Sequence, residues 1–259
     1  MRIDYTRLSK FLSNPERYRL SQCWNLSPKV PKTGMARMFK RGMFRGLALH
    51  ELLDEGIKDI SVYTPEEVQD AQEMADLFRR TYPDEKPLAK EIDFEYPIPD
   101  SPHTLVGRID HIITREGPVV GDIKSCGTCT KKELQQRIEA YLGSWQSRCY
   151  LLGSRSLGYG IRSFLFRIVQ RKEIHERWVA HSSLDLNKFA RQIHQVCCMI
   201  EFMQSEFGIE QPWPSLKEKY HTGFETIAGI RMYAGYIPDG FEPRTEHLSI
   251  LTEREVPDL

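Results

Sequence analysis

Residues 107–127 read GRIDHIITREGPVVGDIKSCG. Two hydrophobic runs in this stretch each carry a carboxylate, Asp110 and Asp122, and the second run adds Lys124. Both runs have the composition of strands, joined by a turn at Arg115-Glu116-Gly117. Burying a charge is costly unless it is paired or bound to a metal, so these charges need partners. Side chains alternate along a strand. Val106, Arg108, Asp110 and Ile112 therefore share one face, as do Val120, Asp122 and Lys124, while Val119 and Ile123 point the other way. Asp-x-Lys is thus a spacing that sets a carboxylate beside an ammonium. If the hairpin brings Asp110 next to Asp122, two carboxylates and one lysine converge. Close carboxylates repel unless a cation lies between them, and hard oxygen ligands favour Mg²⁺ or Mn²⁺. Such a cation activates water and stabilises charge on a phosphoryl oxygen. The lysine can position that water or neutralise developing negative charge. The plainer alternative is a surface hairpin with a cross-strand salt bridge.

Outward from the hairpin, further elements are readable. Residues 5–21 form two short helices broken near Asn14-Pro15, and KVPKTG (29–34) is a loop. A helix runs from about Ala36 to Ile57. Thr64-Pro65-Glu66-Glu67 opens another over 64–80, with an N-cap, a proline at the first helical position and a glutamate for the capping box. Strands are expected near 91–96, 104–113 and 118–125, then a helical stretch over 131–152 interrupted near Gly143. A β-hairpin turns at Arg171-Lys172 within 163–181. Phe189, Ile193, Val196, Ile200, Met203 and Phe207 are spaced for one buried helix face. After Gly208 the chain is rich in Pro and Gly and is expected to be irregular. The organisation is a single domain over 1–259, with a helical N-terminal segment (about 1–85) and an irregular tail (about 208–259).

Lys plus Arg and Asp plus Glu are equal at 36 each, so any basic surface for nucleic acid has to be local. There is no apolar run near the ~18 residues of a spanning helix, and the first residues lack the apolar core of a signal peptide. The expectation is a cytoplasmic protein with no membrane partner. Six cysteines, at 23, 126, 129, 149, 197 and 198, are then reduced thiols. Cys126 and Cys129 form a CxxC with no second pair, which falls short of a closed zinc site.

Other polar residues sit on helices. His50, in FRGLALHELLDEG, shares the apolar face with Leu47, Leu53 and Ile57; it is either a core histidine or a ligand. Gln146 and Tyr150 are one turn apart, either a partly buried polar pair or groups facing a ligand. In RMFKRGMFR, Arg37, Lys40, Arg41 and Arg45 interleave with Phe39 and Phe44. They suit a nucleic-acid backbone as well as a solvated helix end.

The order of these parts resembles the RecB-type branch of the PD-(D/E)XK nuclease superfamily. YTRLSKFLSNPERYRL is similar to its opening segment, GLALHELLDEG to its histidine motif, and GRIDHI to the strand with the first catalytic aspartate. VVGDIKS resembles its D-x-K strand and QSRCY its Q-x-x-x-Y helix. The likeness runs from about 5 to 180 and implies an α/β, restriction-endonuclease-like mixed sheet flanked by helices. It implies a metal-dependent DNA hydrolase, most simply an exonuclease of phage DNA metabolism, recombination or repair. Carried over, His50, Asp110 and Asp122 bind Mg²⁺ or Mn²⁺, Lys124 assists the nucleophile, and Gln146 and Tyr150 contact DNA or brace the site. Separately from the resemblance, the basic cluster offers Arg41 and Arg45 as substrate-binding residues. Glu91 or Glu95 supplies a further acid. A single-strand annealing or recombination protein is an implied partner, in a bacterial or phage-infected cell. Many relatives hold an iron–sulfur cluster, but here Asn14 stands at the first cysteine position and no cysteine follows Cys198, which implies a cluster-free member. The alternative function is a catalytically inactive nucleic-acid-binding or assembly subunit on the same fold.

Overall fold

The computed structural model describes residues 1–23, 35–127, 129–210, 213, 224–227 and 230–233, with backbone alone for 17, 20, 21, 35–40 and the last two stretches. These fall into two compact units, one drawn from Pro31–Phe94 and Gly107–Leu186, the other from Met1–Val30, Glu95–Val106 and Asn187–Leu259. The architecture is α/β: a six-stranded mixed sheet flanked by helices.

The first unit contains the D-x-K strand. Helix α3 (Met35–Asp54) and helix α4 (Pro65–Thr81) precede β2 (Pro87–Pro97) and β3 (Thr104–Thr114), both of which continue into the second unit. Then come β4 (Pro118–Ser125), α5 (Lys131–Gly143), α6 (Gln146–Ser156), β5 (Ser163–Val169) and β6 (Ile174–Ala180). Thr64 and Glu67 close the expected capping box on α4, and Thr130 and Glu133 form a second one on α5. Strands β3 and β4 are antiparallel, β4 and β5 parallel, β5 and β6 antiparallel. The parallel step fits the burial of Val119, Val120, Asp122 and Ile123 on both faces of β4, since strands covered on both faces lose the polar alternation.

The two faces of β4 are covered differently. Ile123 packs with Ala48 and Leu49 of α3, Ala71, Met74 and Ala75 of α4, and Val169. On the other face Asp122 pairs in register with Phe166, which stacks on Tyr141 of α5 at 6.0 Å, while Phe164 meets Tyr150 of α6 at 6.0 Å. Gly121 is required where it stands, because a Cβ there would lie 2.2 Å from the His111 ring.

The second unit contains β1 (Arg2–Ile3), α1 (Tyr5–Ser13), α2 (Pro15–Tyr18) and most of α7 (Ser183–Phe207). The expected break at Asn14-Pro15 separates α1 from α2. Strand β1, too short to read from sequence, pairs in parallel with Thr104 and Leu105. Phe189, Ile193, Val196, Ile200 and Met203 are buried along α7 as expected. The KVPKTG loop and most of the tail lie outside the described residues. Where the tail is described, β7 (Phe224–Ile227) and β8 (Ile230–Tyr233) form an antiparallel pair. These are two short strands of four residues each within a tail expected to hold little regular structure, and their Phe, Ile and Tyr are residues that favour strands.

Candidate active site

The β3–β4 register pairs His111 with Gly121 and Ile112 with Val120. Continued by one residue, it sets Asp110 opposite Asp122. The two carboxyls are in hydrogen-bond contact. Asp122 is wholly buried, at 0% exposure. Its Oδ1 accepts from Lys124 Nζ at 2.9 Å and from Gln146 Nε2 at 3.0 Å. Its Oδ2 is buried and meets no N–H donor. Lys124 Nζ also lies 5.9 Å from the Tyr141 ring centre.

Charge within this cluster is unevenly shared. Burial raises the Asp110 carboxyl, and the neighbouring Asp122 raises it further, to about 8. Burial also pushes Asp122 up, but Lys124 and then the Asp110 hydrogen bond outweigh it and hold Asp122 below the usual carboxylate range. Burial opposes the Lys124 charge, yet Asp122 and Asp110 overcome it and its pKa is raised. A proton on Asp110 leaves one carboxylate, Asp122, against Lys124; a cation in place of that proton would balance two.

Gln146 and Tyr150 belong to the same cluster. Gln146 is buried, bound to Asp122, and hydrogen-bonds Tyr150. Burial first, then Asp110 and Asp122, push the Tyr150 phenol up, so it stays neutral. His50 approaches from α3, its Nε2 2.8 Å from the Ile123 carbonyl oxygen. A neutral ring donating from Nε2 keeps Nδ1 as a lone-pair ligand. His50, Asp110 and Asp122 do not close tightly. Among the described residues, one group of three His, Cys, Asp or Glu has ligand atoms all within 4.8 Å of one another, and it is His103, His194 and Cys198.

The donor set still suits a hard divalent cation: two apposed carboxyls, one with an orphaned buried oxygen, are the ligands Mg²⁺ and Mn²⁺ take. Of the two further acids, Glu91 joins the site and Glu95 does not. Glu91, 52% exposed, acts on Asp110 and lies 3.5 Å from Arg108, whereas Glu95 pairs with Arg2 at 2.7 Å. Glu91 also has φ 48, a left-handed conformation uncommon outside glycine, and such strain clusters at functional sites. A cavity of about 400 Å³ is lined by His50, Phe78, Tyr82, Glu91, Asp110 and His111 among others. Asp122 and Lys124 are not in its wall.

Arg41 and Arg45 lie apart from the carboxylate cluster, on Asp70. Arg41 contacts it at 3.4 Å and Arg45 at 3.3 Å, and Arg171 also reaches it. Burial lowers the Arg45 pKa, with Arg41, Arg137 and Arg171 adding repulsion. Arg45 is only 11% exposed on its side chain, and its guanidinium fills the space a Cβ on Gly127 would need. The side chains of Arg37, Phe39 and Lys40 lie outside the described residues. Cys126 and Cys129 hold their sulfurs 3.2 Å apart as free thiols. Sequence reading missed His111, whose only signal was its alternation along β3, and Tyr141, whose only signal was its helical spacing from Leu134 and Ile138 on α5.

The family model of the PD-(D/E)XK nuclease superfamily matches residues 71–213. The chain belongs to the PD-(D/E)XK nuclease superfamily; that makes it, in class, a nucleic-acid hydrolase. No curated protein matches it in sequence. Among solved structures, a Eubacterium rectale protein described as a presumed exonuclease is 12% identical over 76% of this chain and 79% of its own, with a TM-score of 0.53. The structure of SSO0001 is 13% identical over 75% and 76%, with a TM-score of 0.35. Among the described residues, no helix is long and apolar enough to cross a membrane.

Proposed function

We propose that this chain is a Mg²⁺- or Mn²⁺-dependent deoxyribonuclease, acting as an exonuclease in phage DNA metabolism, recombination or repair. One observation carries the reading: Asp110 and Asp122 face each other across β3 and β4, with Lys124 bound to Asp122 Oδ1 and with Asp122 Oδ2 lacking an N–H donor among the described residues. These two carboxylates, with His50, would hold the cation, and Glu91 would add a further acidic group nearby. When bound, the cation stabilises charge on the phosphoryl oxygens and acidifies water. Lys124 orients the attacking water and offsets the charge that develops at phosphorus. Gln146 fixes Asp122, and Tyr150 braces Gln146 on the substrate side. Arg41 and Arg45, grouped with Arg137 and Arg171, guide the phosphate backbone electrostatically. The exonuclease direction leans on the Eubacterium rectale neighbour's description. The chain works as one cluster-free domain, and a single-strand annealing or recombination protein is the partner such an enzyme would serve.

The test is a digest of end-labelled linear and closed circular DNA with Mg²⁺, Mn²⁺ or a chelator. Cation-dependent loss of linear DNA, with circles spared, supports the reading. Binding without cleavage in either cation would favour the inactive DNA-binding alternative.

A further inference from the structure

We propose that His103, His194 and Cys198 form a transition-metal site suited to Zn²⁺, sharing no residue with the Asp110–Asp122 cluster. His194 and Cys198 are one turn apart on α7 and so project to the same side. His103 comes from the connection between β2 and β3. That connection is fixed from within: Ile98 N donates to the His103 carbonyl at 3.0 Å, and His103 N donates to Ser101 Oγ at 3.2 Å.

Three features point to a metal. The first is spacing. Cys198 Sγ lies 3.7 Å from His194 Nε2 and 4.0 Å from His103 Nε2. A tetrahedral ion with ~2.3 Å sulfur and ~2.0–2.1 Å nitrogen bonds sets nitrogen and sulfur about 3.6 Å apart. Shifts of a few tenths of an ångström would close the site.

The second is the orientation of the rings. His194 Nδ1 is 2.8 Å from Ser101 Oγ, and His103 Nδ1 is 3.6 Å from Glu201 Oε1 and 3.2 Å from the Met1 nitrogen. Cys198 Sγ lies 3.7 Å from both ring nitrogens of His194. With Ser101 Oγ accepting from His194 Nδ1, and Glu201 accepting from His103 Nδ1 in the tautomer protonated there, Nε2 of each ring is left to ligate, and outer partners of this kind hold metal-bound histidines.

The third is softness. Imidazole and thiolate select Zn²⁺ over the hard ions of the carboxylate cluster. Cys198 is exposed, so the fourth position opens to solvent. Binding releases the Cys198 thiol proton and ties the β2–β3 connection to α7.

The test uses the full chain stripped with chelator and titrated with Co²⁺, then Zn²⁺. Expected is one equivalent of Co²⁺ with a near-ultraviolet thiolate charge-transfer band and the visible bands of a tetrahedral centre, bleached by Zn²⁺. Cys198→Ser and His194→Gln should each abolish the charge-transfer band. Asp122→Asn and the double variant Cys126→Ser/Cys129→Ser should retain it. Because Cys198 is exposed, Cys198→Ser should melt like wild type without metal and lose the rise in melting temperature that Zn²⁺ gives wild type. Absence of the band in wild type overturns the proposal. So does a band that survives Cys198→Ser, or one lost only with the Cys126–Cys129 pair.

Discussion

Two clusters of buried charge lie back to back on adjacent residues of β4 and β5, and they are built to opposite rules. Asp122 pairs in register with Phe166, and Ile123 with Arg167, so Asp122 and Arg167 face opposite sides of the sheet. On the Arg167 side charge is matched. Arg167, fully buried, grips Glu85 with both terminal nitrogens and Glu176 through Nε at 3.0 Å. Arg115 adds a second cation, 3.0 Å from Glu85, and Tyr82 donates to Glu176 at 2.9 Å while its ring lies 4.1 Å from the Arg167 guanidinium. Two arginines meet two glutamates. On the Asp122 side Asp110 and Asp122 share Lys124. The matched cluster needs nothing more. The unmatched one is completed by a proton or a cation, and that difference separates a structural ion network from a site.

The largest expected effect strikes the matched side. Arg167→Ala strands Glu85 and Glu176, and breaking a buried pair costs about 3–5 kcal/mol. Denaturant unfolding should read this loss, whereas Asp110→Asn should cost far less in metal-free protein, because it replaces a carboxyl that already holds a proton with a neutral amide. Comparable losses would dissolve the contrast.

Next is cation binding. Mn²⁺ at about a hundred times its Kd should stabilise wild type by about 2.7 kcal/mol, and Asp122→Asn should lose this gain while Arg167→Met keeps it. Thermal melts with and without Mn²⁺ measure it.

A smaller effect is expected at Gln146. Because its amide is bound to Asp122, Gln146→Ala should weaken Mn²⁺ binding and cleavage roughly tenfold, as removal of an outer partner of a ligand does. Unchanged cation affinity with slower cleavage would put Gln146 on the substrate instead.

The smallest is a pH slope of opposite sign on the two faces. Asp110, raised from 3.8 to about 8, contributes stability that is complete below its ordinary pKa and lost as pH rises towards 8. Arg167 lowers the Glu85 pKa against the pull of burial, so Glu85 contributes stability present above its ordinary value of 4.5 and lost as pH falls through its depressed one. In metal-free protein, Asp110→Asn should flatten the neutral slope and Glu85→Gln the acid one. A neutral slope indifferent to Asp110→Asn would mean that the proton sits elsewhere.

The unmatched cluster was legible because its signals are local. Strand alternation put Asp122 and Lys124 on one face, and a short turn at Gly117 made a hairpin partner of the strand with Asp110, whose place opposite Asp122 follows from the observed register. The matched cluster was not, since Glu85 and Arg167 are 82 residues apart and neither has a spacing that names the other. Arg45 shows a related limit: its place on a helix gives no sign that Asp70, on the next helix, pairs with it. Glu91 and Glu95 were indistinguishable by alternation. A left-handed residue at Glu91 separates them, and sequence gives no sign of it. Ser101, His103 and Glu201 gave no signal either. The spacing of His194 and Cys198 on one helix was readable, but it needed a partner from a distant connection to acquire meaning.

The most direct measurement is cleavage of linear duplex DNA in Mn²⁺ by wild type and by Lys124→Ala, with binding and Mn²⁺-induced stabilisation read on the same preparations. Lys124→Ala should bind DNA and Mn²⁺ like wild type and cut about a hundredfold more slowly or worse. Wild-type cutting by Lys124→Ala would contradict the assignment and leave Asp110, Asp122 and Lys124 as an ordinary buried salt bridge.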